Sequence, residues 1–164
     1  MIQLRPTQSI DLDFVRQAER DPENRPFILQ WTLAEHEAAL QDPDMSHQII
    51  EQASSQDPVG YTILRGLANA HRSLELKRLV VTQKGQGYGQ QALRRIQQQV
   101  FEQYKAHRLW LDVKEFNKRA YDLYRKVGFV EEGRLRDCWR TELGFETVVV
   151  MSMLEDEYRQ QLLQ

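Results

Sequence analysis

Residues 75–97 read ELKRLVVTQKGQGYGQQALRRIQ, and the fold is decided there. Glu75 to Val81 is rich in apolar and β-branched residues, as a strand is. Gly85, Gly87 and Gly89 follow at alternate positions. A helical pattern begins at Tyr88 and carries Gly89, Leu93, Ile96, Val100 and Tyr104 three or four apart on one face. The order is strand, glycine-rich turn, helix. Backbone N–H groups in the first turn of a helix lack intrahelical partners and carry partial positive charge, so they attract phosphate oxygens. Glycines let the main chain approach a ligand closely. The stretch therefore predicts a phosphate-bearing cofactor, with a plain strand-to-helix turn as the alternative. A P-loop is excluded, because no Lys-Ser or Lys-Thr pair follows these glycines. A dinucleotide fingerprint counted from Gly85 would need glycine where Gln90 stands.

The rest of the chain supplies alternating elements. Ile2–Pro6 reads as a first strand, and Asp11–Arg20 as a helix with Leu12, Val15 and Ala18 at helical spacing, ended by Asp21-Pro22. Glu23–Trp31 is aromatic and irregular. Thr32, with Glu35 three residues on, forms a capping box for a second helix running to about Gln41. His47–Gln52 and Val59–Arg65 read as a hairpin, Leu74–Thr82 as the next strand and Tyr88 to about Lys105 as the long helix. Arg108–Val113 is a strand, and Asn117–Val127 a helix capped by Asn117 and closed by Gly128. Phe129–Trp139 and Glu146–Leu154 close the chain as an antiparallel pair around Leu143-Gly144. This order predicts one α/β domain over residues 1–164, built on a mixed, mostly antiparallel sheet of six to seven strands with about four helices. The crossover from 74–82 to 108–113 is the one connection that must be parallel, a central βαβ unit.

Composition narrows the function. The 164 residues are 41% hydrophobic and 28% charged, with 22 basic and 24 acidic side chains. A net charge of −2 argues against a nucleic-acid binder held by bulk charge. No apolar run approaches the length needed to cross a bilayer, and no basic leader with an apolar core opens the sequence. Cys138 is alone, which suggests a reduced, cytoplasmic setting. His36, His47, His71 and His107 show no metal-ligand spacing, so no metal is expected.

Lys84-x-x-Gly87-x-Gly89 resembles the Q/R-x-x-G-x-G/A signature of the GNAT N-acetyltransferase superfamily, with Lys84 in place of the usual Gln or Arg. Asn117-x-x-Ala120-x-x-Leu123-Tyr124-x-x-x-Gly128-Phe129 resembles that family's N-x-x-A-x-x-[LF]-Y-x-x-x-G-F helix. The two motifs and the strands around them span residues 75 to 154. FVEEGRLRD and VVVMSML, further on, look like the polyamine and ribosomal-protein N-terminal acetyltransferase branch. The resemblance implies acetyl-CoA as co-substrate, an amine acceptor and a possible homodimer. It also implies that two central strands part around the pantetheine arm. The main chain of Leu79, Val80 and Val81 would pair with that arm, and an N–H near Val81 would polarise the thioester carbonyl. Lys84, Gly85, Gln86, Gly87, Tyr88, Gly89 and Gln90 would surround the pyrophosphate. Asn117 would meet the pantetheine amide or order a water. Lys118, Arg119 and Arg125 are candidates for the 3′-phosphate, and each also suits a solvated helix face.

Tyr124 matches the family's acid for the departing thiolate; its spacing alone, on an apolar stripe with Ala120 and Val127, favours core packing, and the motif match reverses that. Full proton transfer from a tyrosine of pKa about 10 to a thiolate of about 8.5 is uphill by about 2 kcal/mol, which favours hydrogen bonding as charge develops. Glu75 stands where some members place a general base, and strand ends also carry Glu routinely. Asn24, Arg25, Phe27, Trp31 and Trp139 are candidate acceptor contacts by location. Cys138 lies in neither motif, so direct attack by the amine is expected rather than an acyl-enzyme. Protein N-termini, polyamines, aminoglycosides and small amines all remain open as acceptors. The rival function is a non-catalytic acyl-CoA-binding module.

Overall fold

Seven strands form one sheet in the order β1-β2-β3-β4-β5-β7-β6 in the computed structural model, which describes residues 1–163. They are β1 Ile2–Pro6, β2 Met45–Gln52, β3 Pro58–Arg65, β4 Ser73–Val81, β5 Arg108–Lys114, β6 Val130–Thr141 and β7 Gly144–Leu154. The helices are α1 Leu12–Arg20, α2 Leu33–Gln41, α3 Tyr88–Gln98, α4 Lys118–Lys126 and α5 Glu155–Gln161. The mixed α/β architecture is the expected one.

Local chemistry accounts for the helix starts. Thr32 Oγ1 accepts from Glu35 N at 3.2 Å and Glu35 Oε2 accepts from Thr32 N at 2.6 Å, a reciprocal capping box. Asn117 Oδ1 accepts from Ala120 N at 3.2 Å to cap α4. The apolar face of α3 (Leu93, Ile96), continued by Val100 just beyond it, packs with Leu109, Leu111, Phe129, Met151 and Met153 in the main core. A second cluster joins Leu12, Val15 and Ala18 of α1 to Ile49, Tyr61, Ile63 and Val80.

Sheet register shapes the site. β4 and β5 are parallel, and every other neighbouring pair is antiparallel. Their pairing covers Ser73↔Arg108, Leu74↔Leu109 and Glu75↔Trp110 and then stops. On its other edge β4 stays paired with β3 as far as Gly60↔Val81. The β3–β4 register slips from Ile63↔Arg78 to Leu64↔Leu76, which leaves Lys77 as an extra, bulged residue. A bulge bends and twists its strand. This one lies just past the last β4–β5 pair, so β4 turns away from β5 and leaves a gap.

Three details depart from the sequence expectation. The helix predicted to run to about Lys105 has α geometry only to Gln98 and ends in a π turn, Gln99–Gln103, with Tyr104 N donating to Gln99 O at 3.0 Å. The closing hairpin turns at Glu142-Leu143, and Gly144 already begins β7. A fifth helix, α5, was not predicted. It has little apolar periodicity, and its one buried side chain, Tyr158, stacks on Phe101 with centroids 4.9 Å apart.

Candidate active site

The glycine turn between β4 and α3 has the left-handed backbone its sequence anticipates. Gly85 has φ 77° and Gly87, the residue before the first turn of α3, has φ 75°. No atom would lie within 4 Å of a Cβ built at Gly85, and the nearest to one at Gly87 is Gln91 Nε2 at 4.0 Å, so the turn is open to solvent on its outer side. Lys84 beside it is hydrogen-bonded to Asn24 Oδ1, and Asn24 in turn donates to Ala18 O at 2.9 Å. The turn is thus tied to the loop after α1. Burial, then the nearby Arg119 cation, hold the Lys84 amine below its ordinary pKa.

From this turn a cleft of about 630 Å³ runs along the gap between β4 and β5. Of the residues singled out in the sequence, Leu79, Val80, Val81, Lys84, Gly85, Gly87, Tyr88, Gly89, Gln90, Asn117, Arg119 and Tyr124 line it. Asn24 and Phe27, expected on the acceptor side, line it too. Gln86 and Glu75 do not. Gln86 is exposed at the turn's tip. Glu75 is buried in the paired part of β4, where Arg65 Nε and Nη2 donate to its Oε2 at 2.8 and 2.5 Å. Trp31 does not line the cleft: Arg78 lies over its ring, 5.2 Å from the centroid, and His36 packs against it at a tilt of 57°.

The backbone of β4 presents two free peptide groups to this gap. Thr82 N donates to Val59 O, and Arg78 O accepts from Thr62 Oγ1, both on the β3 side. Because strand peptides alternate in direction, the groups of Leu79 and Val81 face the opposite way, into the gap.

Tyr124 stands edge-on to Phe129, centroids 5.7 Å apart, with its ring half-buried. Enclosure by protein, and then the charge of Asp112, push its hydroxyl pKa well above the ordinary tyrosine value. The group is a neutral O–H donor throughout the physiological range. Asp112, on β5, opens into the cleft; burial and then the neighbouring Glu75 raise its carboxyl pKa.

Behind the cleft wall lies a buried polar network. Glu19 Oε1 accepts from Tyr61 at 2.6 Å and lies 3.1 Å from His36 Nε2 and 3.9 Å from Arg78 Nε. His36 Nδ1 meets His47 Nε2 at 3.1 Å, and His47 Nδ1 meets Thr7 Oγ1 at 2.9 Å. Arg78 Nη2 donates to Leu29 O at 2.9 Å, so the guanidinium is fixed from two sides. Sequence reading missed Lys77, Arg78, Asp112 and Lys114 in the cleft wall. Asp112 alone left a trace, a carboxylate alternating with Leu111 and Val113 in an apolar strand.

Residues 10–129 match the acetyltransferase (GNAT) family. The chain belongs to that family. The spermidine N(1)-acetyltransferase of Escherichia coli strain K12 is 23% identical over 166 residues, covering 96% of this chain and 88% of that protein. The one from Vibrio cholerae is 27% identical over 111 residues, covering 67% of this chain and 64% of the other. A structure of spermidine N-acetyltransferase from Vibrio cholerae in complex with CoA and spermine shares the fold, with a TM-score of 0.86, 23% identity, and 96% and 98% of the two chains covered. Among the described residues of this N-acetyltransferase, no metal-binding group of three or more His, Cys, Asp or Glu is present, and no helix is long and apolar enough to cross a membrane.

Proposed function

We propose that this chain moves the acetyl group of acetyl-CoA to a primary amine by direct attack in a ternary complex. One observation carries the reading: β4 leaves β5 after three paired residues, and the resulting gap runs from the glycine turn to Tyr124 in a single cleft. A pantetheine arm in that gap would take the place of the missing strand neighbour, using the free peptide groups of Leu79 and Val81. The pyrophosphate would rest on the N–H groups at the start of α3, with Lys84 beside it and Arg119 within reach of the 3′-phosphate.

In the reaction the amine nitrogen bonds to the acetyl carbonyl carbon, and the carbon–sulfur bond breaks. Val81 N–H would stabilise the carbonyl oxygen as it gains charge. Tyr124 O–H would donate to the leaving sulfur. Its raised pKa makes complete proton transfer more costly, so the hydroxyl serves as a hydrogen-bond donor, and the thiolate takes up, through water, the second proton that the attacking nitrogen loses as the amide forms. The acceptor arrives as an ammonium and must shed a proton first. Glu75, held by Arg65 outside the cleft, is badly placed to receive it; Asp112 or a water beside it is better placed.

Calorimetry with acetyl-CoA, followed by thiol release on adding amines, tests this. Saturable binding that Gly87→Trp abolishes, with amine-dependent thiol release, is the expected outcome. Binding without release from any amine would leave a non-catalytic module, and no binding at millimolar ligand would remove the cofactor assignment.

A further inference from the structure

A smaller recess of about 40 Å³ adjoins the main cleft, and Phe27, Ile28, Lys77, Arg78, Asp112 and Lys114 line both. Where the two meet is where an acceptor amine would find the thioester. Of these six residues, one is a carboxylate and three are cations. The cations differ in how far their charge is already answered. Lys114 Nζ is 2.7 Å from Glu146 Oε2. Arg78 lies 3.9 Å from Glu19, and its Nε is buried without a hydrogen-bond partner. Lys77 has Glu75 at 4.0 Å, but that carboxylate already accepts from Arg65. Burial, with the nearby Arg65 and Arg78 cations, depresses the Lys77 amine more than Glu75 and Asp112 restore it, so its charge is only partly answered.

We propose that the acceptor is a primary amine bearing a carboxylate, of the α-amino-acid class, with its ammonium drawn to Asp112 and its carboxylate to Lys77 and Arg78. The proposal rests on the acetyl-transfer reading above and names the substrate class of that same site. A polyamine repeats its positive charge every few methylenes. With one end on Asp112, its next ammonium would meet Lys77, Arg78 or Lys114 at the junction, whose lining holds no second carboxylate; Glu23, which also lines the main cleft, lies toward the glycine turn beside Lys84. An amino acid presents one charge of each sign, as the junction does. Phe27 and Ile28 offer apolar surface to its side chain. Acetylation turns the ammonium into a neutral amide, which ends the attraction to Asp112 and favours release of the product.

Initial rates of thiol release decide the matter, using a panel of free α-amino acids, the same amino acids as carboxamides, and spermidine. The expected result is a kcat/KM for the best free amino acid at least about tenfold above both its carboxamide and spermidine. That order would be the more telling because the carboxamide's amine is less basic and more readily deprotonated. Lys77→Glu should reverse it, mainly through KM. Spermidine or the carboxamides preferred by the unaltered chain, or amine-dependent release with no free amino acid turned over, would overturn this inference and leave acetyl transfer standing. Failure to bind acetyl-CoA would sink the acetyl-transfer reading itself, and this one with it.

Discussion

Tyr124 shows how one side chain acquires a chemical identity from its neighbours. Its position on α4 is set by local spacing, but its raised pKa comes from enclosure and then from Asp112 across the cleft. Replacing the hydroxyl with hydrogen in Tyr124→Phe keeps the ring against Phe129 and removes only the donor. We expect kcat to fall roughly tenfold or more with little change in acetyl-CoA KM, since the interaction belongs to the transition state. Steady-state kinetics at saturating acceptor checks this, and unchanged turnover would take Tyr124 out of the reaction. Glu75 makes the opposite point. Its place at the start of the cofactor strand suggested a base, yet Arg65 reaches it from the neighbouring strand and leaves it below the cleft. Nothing near Glu75 in the sequence announces that partner.

At the level of elements, the gap between β4 and β5 depends on how tightly β4 is held on its other side. Gly60 of β3 is where that contact is closest: a Cβ there would lie 2.2 Å from Val80 O, against backbone that has no room to move aside. Gly60→Ala should therefore push the two strands apart beside Leu79 and Val81. Overpacking of this kind costs typically about 1–3 kcal/mol. Urea unfolding should show that loss together with weakened acetyl-CoA binding; a variant of unaltered midpoint and affinity would mean the strands yield freely. The elements themselves were legible where their signals are local. The capping box at Thr32, the Asn117 cap and the glycine turn each lie within a few residues of what they control. The π turn at Gln99–Gln103 and α5 were not legible, because the first continues the apolar stripe of α3 and the second owes its place to Phe101, far away in sequence.

Across the whole molecule, the buried network of Thr7, Glu19, His36, His47, Tyr61 and Arg78 joins the residue just after β1 to α1, α2, β2, β3 and β4 behind the cleft. Burial foremost, and then the adjacent His36, lower the pKa of His47 from 6.5 to about 4. The folded state thus binds fewer protons than the unfolded state between those values, and stability rises with pH there. Contacts with His36 and Tyr61 overcome the burial of Glu19 and keep its carboxyl below the ordinary range, which adds a loss in the same direction at lower pH. Acidification from pH 7 to about 4 should cost up to roughly 3 kcal/mol through His47. Urea midpoints across this range should fall steadily as pH drops; a flat profile would show that His47 is not held neutral.

From its order of residues alone, this protein's α/β class, its parallel crossover, its glycine turn and its capped Asn117–Tyr124 helix could be read, because each arises from neighbours within one or two turns of chain. Tertiary structure alone decided the Lys77 bulge, the parting of β4 from β5, the withdrawal of Glu75 and the gathering of Lys77, Arg78, Asp112 and Lys114 around one junction. These depend on contacts such as Arg78 with Leu29, 49 residues apart, and Arg78 with Glu19, in which neither partner's local sequence carries any mark of the other. Short-range periodicity records which way a side chain faces. What it meets there is settled when distant segments compete for the same buried space.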